Sequence, residues 1–314
     1  MMADTKKATR AAFGETLVKL VDEGLDIYAV DADLSASTTT AKLGQAHPSR
    51  LVNVGIAEQN MIGVAAGLSL TGKTVFTGSF AVFGTGRVYD QIRNTVCYAN
   101  LDVKIAPTHS GISVGPDGGS HQMIEDLALM RVLPQMRILV PADYPSAKAA
   151  IRIAATTPGP FYIRLGRSEV PMLYSDGEPF ELGRAKVARR GTDVTIVACG
   201  VEVYLALEAA VALDLMGIDA EVIDVFSLKP LDEQAILESA QKTGFVITAE
   251  EHSVIGGLGS AVAELMGRHP GVLSKPLRAV GVQDRFGTSG EFNELFKEYG
   301  LDAQSLCNTV LQLR

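Results

Sequence analysis

The sequence predicts an α/β protein with two domains, each built on a parallel sheet. Short apolar runs alternate with segments of helical periodicity, and a polar stretch at 174–179 interrupts this alternation. The chain has 314 residues, which suggests two domains at about 150 residues each. Strand–helix–strand repetition favours parallel strands joined by right-handed crossovers.

The first half of the chain carries six predicted strands separated by predicted helices. Each strand is an apolar run of the kind that a parallel sheet buries on both faces. In the first helix Phe13, Leu17 and Leu20 recur at helical spacing, which indicates one buried face. The strands are predicted at 27–33, 50–55, 73–80, 103–109, 137–143 and 160–166, and the helices at 9–23, 58–70, 86–99, 120–132 and 146–155.

The polar stretch YSDGEP at 174–179 contains Gly and Pro and is typical of a linker. We therefore predict a first domain at 8–175, a linker at 176–190 and a second, smaller α/β domain at 191–314. The second domain repeats the alternation and ends in a tail of helical pattern. Its strands are predicted at 193–200, 220–226, 245–251 and 277–282, and its helices at 203–216, 231–243, 260–267 and 291–313.

Composition argues against several classes of protein. Hydrophobic residues make up 47% and charged residues 20% of the chain, which argues against disorder. The net charge is −8 without a basic stripe, so we expect no nucleic-acid partner. No apolar run could span a bilayer and residues 1–13 contain no apolar signal core, so we expect no membrane association and a cytoplasmic location. Cys97, Cys199 and Cys307 are far apart in apolar surroundings, which favours buried thiols.

The segment GIAEQN places Glu58 directly after a predicted strand, in the first turn of a predicted helix. The helix dipole favours a carboxylate there, which would be a purely structural role. Open parallel sheets also bind ligands at the carboxyl ends of their strands, where Glu58 lies. Spacing alone leaves both interpretations open.

Aromatic residues cluster at the next strand end. They make up only 6% of the chain, yet Phe76, Phe80 and Phe83 lie close together beside three glycines. Core packing explains any single Phe. As a group they could also form a platform under a flat heterocycle, with the glycines giving close access to the backbone.

The segment THSGISVGPDGGSHQMIED carries the most informative pattern. His109 ends a predicted strand, Asp117 lies in a glycine-rich loop, and His121 falls in the first turn of a helix that we expect to begin near Ser120. Two histidines and an aspartate on one such loop indicate a functional site more often than a structural one. A metal site is possible by residue type, but sugar or carbonyl chemistry explains the set as well.

Two other segments give weaker signals. Arg164 and Arg167 lie at the end of a predicted strand and are either solvated or salt-bridged surface residues or a fork for a phosphate or carboxylate. The stretch EEHSVIGGLGSAVAE at 250–264 lacks the third glycine of a dinucleotide fingerprint, so an ordinary helix start is the default interpretation. We expect His252 within it to be structural.

Taken in order, these segments resemble the C-terminal half of transketolases, from about Thr9 to the end of the chain. The long block at 108–134 is specific, and the others are strong as an ordered set. The resemblance implies a pyrimidine-binding domain of thiamine diphosphate enzymes followed by a transketolase C-terminal domain. The matching stretches are DADLSAS, GIAEQN, SFAVF, THSGISVGPDGGSHQMIEDLALMRVLP, RILVPAD, YIRLGRSEVP and EEHSVIGGLGSAVAE.

The resemblance also implies a cofactor site. Glu58 matches the glutamate that hydrogen-bonds the aminopyrimidine ring of thiamine diphosphate and promotes its activation, after which the cofactor acts as an electron sink. Phe80 and Phe83 match the aromatic wall against that ring. Asp33 matches an aspartate near the thiazolium ring.

For the substrate, the resemblance implies contacts to a sugar phosphate. His109 and His121 match histidines that hydrogen-bond the hydroxyls of the donor and stabilise a developing alkoxide. Asp117 matches a residue that reads a sugar hydroxyl. Phosphate contacts are implied for Arg167, Ser37 and Arg10.

Full-length transketolases carry a Gly-Asp-Gly motif in an N-terminal domain that binds the cofactor's diphosphate and a metal. No Gly-Asp-Gly occurs in this chain. The chain therefore resembles the C-terminal subunit of a split transketolase that transfers a two-carbon ketol unit. The expected partner is an N-terminal subunit that holds Mg²⁺ or Ca²⁺, and the expected assembly is a self-dimer within a heterotetramer.

Other functions stay open at this point. A different thiamine diphosphate enzyme is one alternative, similar to deoxyxylulose phosphate synthase or to the beta subunit of 2-oxo acid dehydrogenases. A non-catalytic partner subunit is another. The family often has a Tyr where this chain has Gly86, so stacking and donor preference could differ. The sequence does not identify the donor, the acceptor or the pathway.

Overall fold

The computed structural model describes residues 5–313, so the last position of the predicted second domain, residue 314, lies outside it. The fold is α/β with mainly parallel sheets, as predicted. Its strands are β1 Lys6–Ala8, β2 Ile27–Asp31, β3 Leu51–Asn53, β4 Thr74–Gly78, β5 Val103–Ile105, β6 Arg137–Leu139, β7 Phe161–Ile163, β8 Glu169–Pro171, β9 Lys186–Arg189, β10 Val194–Ala198, β11 Ala220–Asp224, β12 Ser227–Lys229, β13 Val246–Ser253 and β14 Arg278–Val282.

Helices connect these strands and cover the sheets. Asp143 caps α6 because its carboxylate accepts the backbone N–H of Ser146 at 2.9 Å, in a reciprocal capping box. The helices are α1 Thr9–Asp22, α2 Ser35–Thr38, α3 Ala41–Ala46, α4 Glu58–Ser69, α5 Asp126–Arg131, α6 Tyr144–Thr156, α7 Glu202–Asp214, α8 Glu233–Thr243, α9 Leu258–Arg268, α10 Phe292–Glu298 and α11 Ala303–Leu313.

The first sheet has seven strands in the spatial order β12-β6-β7-β5-β4-β2-β3. The six strands from the first half of the chain are parallel, so their carboxyl ends meet at one edge. The seventh, β12, comes from the second half and pairs antiparallel with β6. This pairing joins the two halves of the chain through backbone hydrogen bonds, which no sequence pattern predicted.

The second sheet has the order β14-β13-β10-β11-β9, with β9 antiparallel at its edge. Its buried strands are apolar runs such as Val194–Ala198, all five residues of which are buried. The short strands β1 and β8 form a separate antiparallel pair. The predicted thiols Cys97, Cys199 and Cys307 are buried and outside any disulfide. No helix within residues 5–313 is long and apolar enough to cross a membrane.

The helix predicted at 120–132 begins instead at Asp126, so the expectation that His121 lies in its first turn is wrong. The preceding residues are bound to the loop rather than to a helix. The Gln122 side chain donates to the carbonyls of Ile112 and Gly115 at 3.3 Å and of Thr288 at 2.9 Å. His121 lies in a turn that its own backbone N–H closes on the carbonyl of Gly118.

Two other predicted helices differ in form. The segment predicted at 86–99 is π-helical at Gln91–Cys97, and a second π-helical segment precedes it at Val82–Gly86. The helical tail predicted at 291–313 is divided into α10 and α11. Gly300, with φ of +70°, breaks it because this left-handed conformation favours glycine.

Candidate functional site

The carboxyl edge of the first sheet carries the residues that the sequence singled out. Glu58 follows β3, Phe80 follows β4 and His109 follows β5. Backbone pairing continues past β4 and β5, since the Phe80 and Thr108 positions form a parallel bridge. This pairing sets Phe80 beside His109. The edge is the place where open parallel sheets bind ligands.

Glu58 lies in the first turn of α4 and is only 4% exposed. Its carboxylate is paired with a positively charged side chain. Arg87 donates from one nitrogen, Nη1, to both carboxylate oxygens at 3.0 Å. The Arg87 side chain is 50% exposed, so the pair joins a buried carboxylate to a cation at the surface.

Aromatic rings form a continuous wall next to this pair. The Phe80 and Phe83 rings stack with centroids 6.2 Å apart, and the His109 ring stacks on Phe80 at 3.8 Å. His121 meets the edge of Phe83 at 5.5 Å. The Arg87 guanidinium carbon lies 4.4 Å from the centre of the Phe83 ring, which links this aromatic wall to Glu58. The structure thus brings together Glu58, Phe80, Phe83, His109 and His121.

His109 is held in an uncommon conformation. Its φ of +62° is left-handed, which costs free energy in a residue other than glycine and is typical of functional sites. Its Nδ1 shares a hydrogen bond with the Thr108 hydroxyl at 2.8 Å. Burial, together with the positive charges of Arg10 and Arg167, lowers the pKa of His109 to about 3. The ring is therefore neutral at pH 7 and can donate or accept a hydrogen bond without carrying charge.

A second group of predicted residues lies near His109. The Arg10 guanidinium donates to the Ser37 carbonyl at 2.9 Å, and Arg167 donates to the Val114 carbonyl at 2.6 Å. Arg167 also faces the Asp117 carboxylate at 3.9 Å. Burial and the nearby charge of Arg167 lower the pKa of Arg10. Two cations that repel each other in this way form a site suited to an anion with two negative charges.

Asp33 stands apart from these groups. It is exposed beyond the end of β2, with a left-handed φ of +65°. Its carboxylate accepts a hydrogen bond from Asn53 at 3.4 Å. Within residues 5–313 no hydrogen bond or ion pair joins Asp33 to Glu58 or to His109 and His121. No group of three or more His, Cys, Asp or Glu within these residues could hold a metal ion.

Comparisons with known proteins identify the family of this chain. The family model "Transketolase, pyrimidine binding domain" matches residues 5–172, and "Transketolase, C-terminal domain" matches residues 183–306. The chain belongs to the transketolase family. The Methanocaldococcus jannaschii protein named for the transketolase C-terminal section is 46% identical, over 98% of this chain and 96% of that protein.

Other members of the transketolase family are similarly close to this chain. The 6-deoxy-6-sulfo-D-fructose transketolase subunit SqwH of Clostridium sp. is 44% identical, over 95% of this chain and 91% of that protein. A solved structure described as a split gene transketolase, an inactive beta4 tetramer, is 50% identical. It superimposes with a TM-score of 0.89 over 98% of each chain.

Arg164, which the sequence offered as a surface or anion-binding residue, instead forms a buried ion pair. Its guanidinium donates to Asp126 at 2.7 and 3.1 Å and to the Glu251 carbonyl at 3.1 Å. Both Arg164 and Asp126 are buried. Burial would raise the pKa of Asp126, but Arg164 outweighs it and holds that pKa below its ordinary value. The pair belongs to the interior between the two sheets.

A carboxylate of this chain binds the N–H groups of the glycine-rich turn before α9. This supports an ordinary helix start and not a dinucleotide-binding turn. The Glu250 carboxylate accepts the backbone N–H groups of Leu258 and Gly259, both at 2.7 Å. A Cβ at Gly257 would lie 2.1 Å from Glu250, so glycine lets the backbone approach this carboxylate. His252 is fully buried next to Glu250, and burial lowers its pKa to about 4. The turn is structural, as expected.

Sequence reasoning missed Arg87. It lies four residues after Phe83, and residues four apart on a helix meet on one face. That spacing could have placed a cation over the ring. Its contact with Glu58, 29 residues away, has no signal in the sequence.

Proposed function

We propose that this chain is the C-terminal subunit of a split, thiamine-diphosphate-dependent transketolase. In this proposal it transfers a two-carbon ketol unit from a ketose phosphate to an aldose, together with a separate N-terminal subunit. One observation carries the proposal: a buried carboxylate, Glu58, is linked through Arg87 to the stacked rings of Phe80 and Phe83 at the edge of the sheet where ligands bind. A flat heterocycle with an N–H donor fits that arrangement.

Several residues of this chain have separate roles in binding the rings of the cofactor. Bound thiamine diphosphate supplies the electron sink for breaking and forming the carbon–carbon bond. Glu58 shares one proton with a ring nitrogen of the aminopyrimidine, and Phe80 and Phe83 hold the ring in place. Asp33 is proposed to face the thiazolium side from the end of β2. The low exposure of Glu58 keeps water from competing for its oxygens.

A sugar phosphate is bound on the His109 side of the wall. Neutral His109 and, from the edge of Phe83, His121 hydrogen-bond the hydroxyls and the carbonyl oxygen of the donor. Asp117 accepts a hydrogen bond from a hydroxyl further along the sugar. The phosphate dianion is placed between Arg10 and Arg167, with Ser37 beside Arg10, where it relieves the repulsion between the two guanidinium groups.

The remaining half of the cofactor is assigned to a partner chain. The sequence holds no diphosphate motif, and we propose that the N-terminal subunit binds the diphosphate with Mg²⁺ or Ca²⁺. The split gene transketolase similar to this chain is described as an inactive beta4 tetramer, which supports both self-association and the need for another subunit. We infer a self-dimer within a heterotetramer.

Exposed apolar side chains on and beside α4 support this assembly. Ile56 is 79% exposed, Leu70 is 74% exposed and Tyr98 is 86% exposed. On the outer face of α4 a Cβ at Gly63 or Gly67 would meet no neighbouring atom, so another helix could approach closely. Exposed apolar groups of this kind mark contact surfaces.

The proposal is tested by reconstitution. The chain is co-purified with a candidate N-terminal subunit that carries the diphosphate motif, and ketol transfer is assayed with thiamine diphosphate, Mg²⁺ and a panel of ketose phosphates and aldoses. We expect transfer only when both chains and the cofactor are present. Glu58→Ala should abolish transfer while the complex still assembles, whereas Glu264→Ala, which removes an exposed carboxylate, should change little.

Two results would count against the proposal. One is complex formation without transfer of any sugar unit, and the other is unchanged turnover in the Glu58→Ala complex. Activity that depends on pyruvate would instead favour one of the other thiamine diphosphate enzymes. The relatives act on different sugars, as the name 6-deoxy-6-sulfo-D-fructose transketolase shows for one of them, so the donor panel includes a sulfosugar.

A further inference from the structure

Arg87 makes two contacts that converge on the proposed cofactor site. Its Nη1 donates to both oxygens of Glu58 at 3.0 Å, and its guanidinium carbon lies 4.4 Å from the centre of the Phe83 ring. The guanidinium is flat, carries N–H donors and lies against an aromatic ring. An aminopyrimidine ring held by Glu58 and Phe83 would need the same three properties.

We propose that Arg87 is an internal substitute for the cofactor's pyrimidine ring, which it must yield to when the cofactor binds. This inference rests on the proposed function. Both Glu58 oxygens are already bonded to one Arg87 nitrogen, so a ring that bonds Glu58 from the Phe83 side has to enter the space that the guanidinium fills. Arg87 is thus a positioning residue that orients Glu58 and occupies the space beside it until the cofactor binds.

The structure lets Arg87 move while Glu58 stays in place. Glu58 is 4% exposed and fixed in α4, whereas half of the Arg87 side chain faces solvent. Arg87 directly follows the π-helical segment Val82–Gly86. A π-helical turn is less regular than an α-helix and is common at functional sites. Gly86 has no Cβ and no atom near the Cβ position, so the backbone before Arg87 has space to adjust.

The exchange has a cost that sets the apparent affinity. When a ligand binds only the conformation in which Arg87 has left Glu58, its apparent Kd rises in proportion to the rarity of that conformation. Removing the guanidinium abolishes this competition. Removal of the guanidinium also leaves the buried Glu58 carboxylate without a partner. A ring that supplies a hydrogen-bond donor to Glu58 then binds with a more favourable free energy.

The test is a calorimetric titration of the reconstituted complex with thiamine diphosphate in the presence of Mg²⁺. Heat is the suitable signal because this chain contains no Trp. Arg87→Met, which keeps an unbranched apolar stem and removes the guanidinium and its charge, should lower the Kd about 3- to 5-fold, as expected for a partly exposed ion pair. Arg87→Lys, which keeps a charge without the flat group, should give a smaller change. Exposed Arg93→Met is the control and should leave the Kd unchanged.

A double variant separates the substitute role from a general effect on folding. In the Glu58→Ala background, Arg87→Met should give no gain in affinity, because there is no longer a carboxylate to release. A Kd that rises, or that stays within twofold of the wild-type value in both Arg87 variants, overturns the substitute role. If Arg87→Met does not assemble, Arg87→Gln and Arg87→Lys provide the same comparison.

Failure of the proposed function looks different in the same titration. If Glu58→Ala leaves the wild-type Kd unchanged, or if the wild-type complex does not bind thiamine diphosphate, the function itself is wrong and the Arg87 role fails with it. If Glu58→Ala weakens binding and Arg87→Met does not strengthen it, only the role of Arg87 is wrong.

Discussion

Glu58 and Glu250 are both buried glutamates beside the beginning of a helix, yet the chain holds them in opposite ways. Glu250 accepts two backbone N–H groups of α9, which cannot leave without unfolding the turn. Glu58 is held by a single long side chain that is half exposed. The Glu250 carboxylate stabilises the fold, whereas the Glu58 carboxylate can exchange its arginine partner for a ligand.

The comparison shows why burial and a helix start do not identify a catalytic carboxylate. Glu58 lies in the first turn of α4 and Glu250 lies in β13, yet both buried carboxylates lie beside the start of an apolar helix in a glycine-containing segment. What differs is the partner: Glu250 is bonded to backbone N–H groups, and Glu58 is bonded to a half-exposed arginine side chain. A carboxylate whose partner can be replaced is the one that is able to do chemistry.

The largest expected difference separates the two glutamates in activity. Glu58→Gln should reduce ketol transfer by the reconstituted complex about 10³-fold, since it removes a proton-accepting group worth roughly 10²–10⁴. Its free energy of unfolding should change little. Glu250→Gln should do the reverse and destabilise the fold, because its amide cannot accept both N–H groups equally well. Steady-state rates and urea unfolding of the same preparations provide the comparison, which fails if Glu250→Gln is the more damaging to turnover.

Breaking the interior charge network should cost about 3 kcal/mol of unfolding free energy. Asp126→Asn removes the carboxylate that accepts two hydrogen bonds from Arg164 and leaves this buried guanidinium with only the Glu251 carboxylate, at 3.6 Å, as an opposite charge. Arg152→Met, which breaks an exposed pair with Glu23, should cost less than about 1 kcal/mol. Equal losses in denaturant titrations would show that the interior pair is no more important than the surface one.

The pH dependence of stability should carry the signature of His109. Its pKa is about 3 when folded and ordinarily about 6.5, so the unfolded chain takes up a proton that the folded chain refuses. Stability from this residue is complete above about pH 6.5 and is lost as the pH falls toward 3. Between pH 7.5 and pH 5 the wild-type chain should therefore lose about 2 kcal/mol more than His109→Gln. An identical loss in the two chains would mean that His109 titrates normally.

The smallest effect concerns the aromatic wall. Phe83→Leu keeps apolar bulk but removes the ring, and stacking of this kind contributes about 1 kcal/mol. We expect the complex to bind thiamine diphosphate about fivefold more weakly. Phe76→Leu, which changes a core ring away from the wall, serves as the control for general loosening of the fold. Equal weakening by the two substitutions would remove Phe83 from the site.

The sequence predicted the parallel sheet and its functional edge because both depend on local patterns. Apolar runs and their order indicate buried strands, and parallel strands necessarily bring their carboxyl ends together. The positions of Glu58, Phe80 and His109 follow from that alone. The resemblance to transketolases supplied roles that spacing could not assign.

Other features depended on contacts between distant parts of the chain. Helix α5 begins at Asp126 and not at the predicted residue 120, because Gln122 donates a hydrogen bond to the carbonyl of Thr288, 166 residues away. Strand β12 joins the first sheet across the domain boundary. Arg87, which pairs with Glu58, comes directly after a π-helical turn. No periodic pattern in the sequence predicts the geometry of such a turn. Such contacts are settled by tertiary packing rather than by local propensity.

The most direct test of the account is a crystal structure of the reconstituted complex with thiamine diphosphate bound. The quantity to measure is the distance from the Glu58 carboxylate to the nearest ring nitrogen of the aminopyrimidine. We predict that these two atoms lie about 2.6–3.2 Å apart and share one proton, with the ring packed on Phe83. A Glu58 side chain that points away from the ring, or a ring bound at another edge of the sheet, would contradict the account.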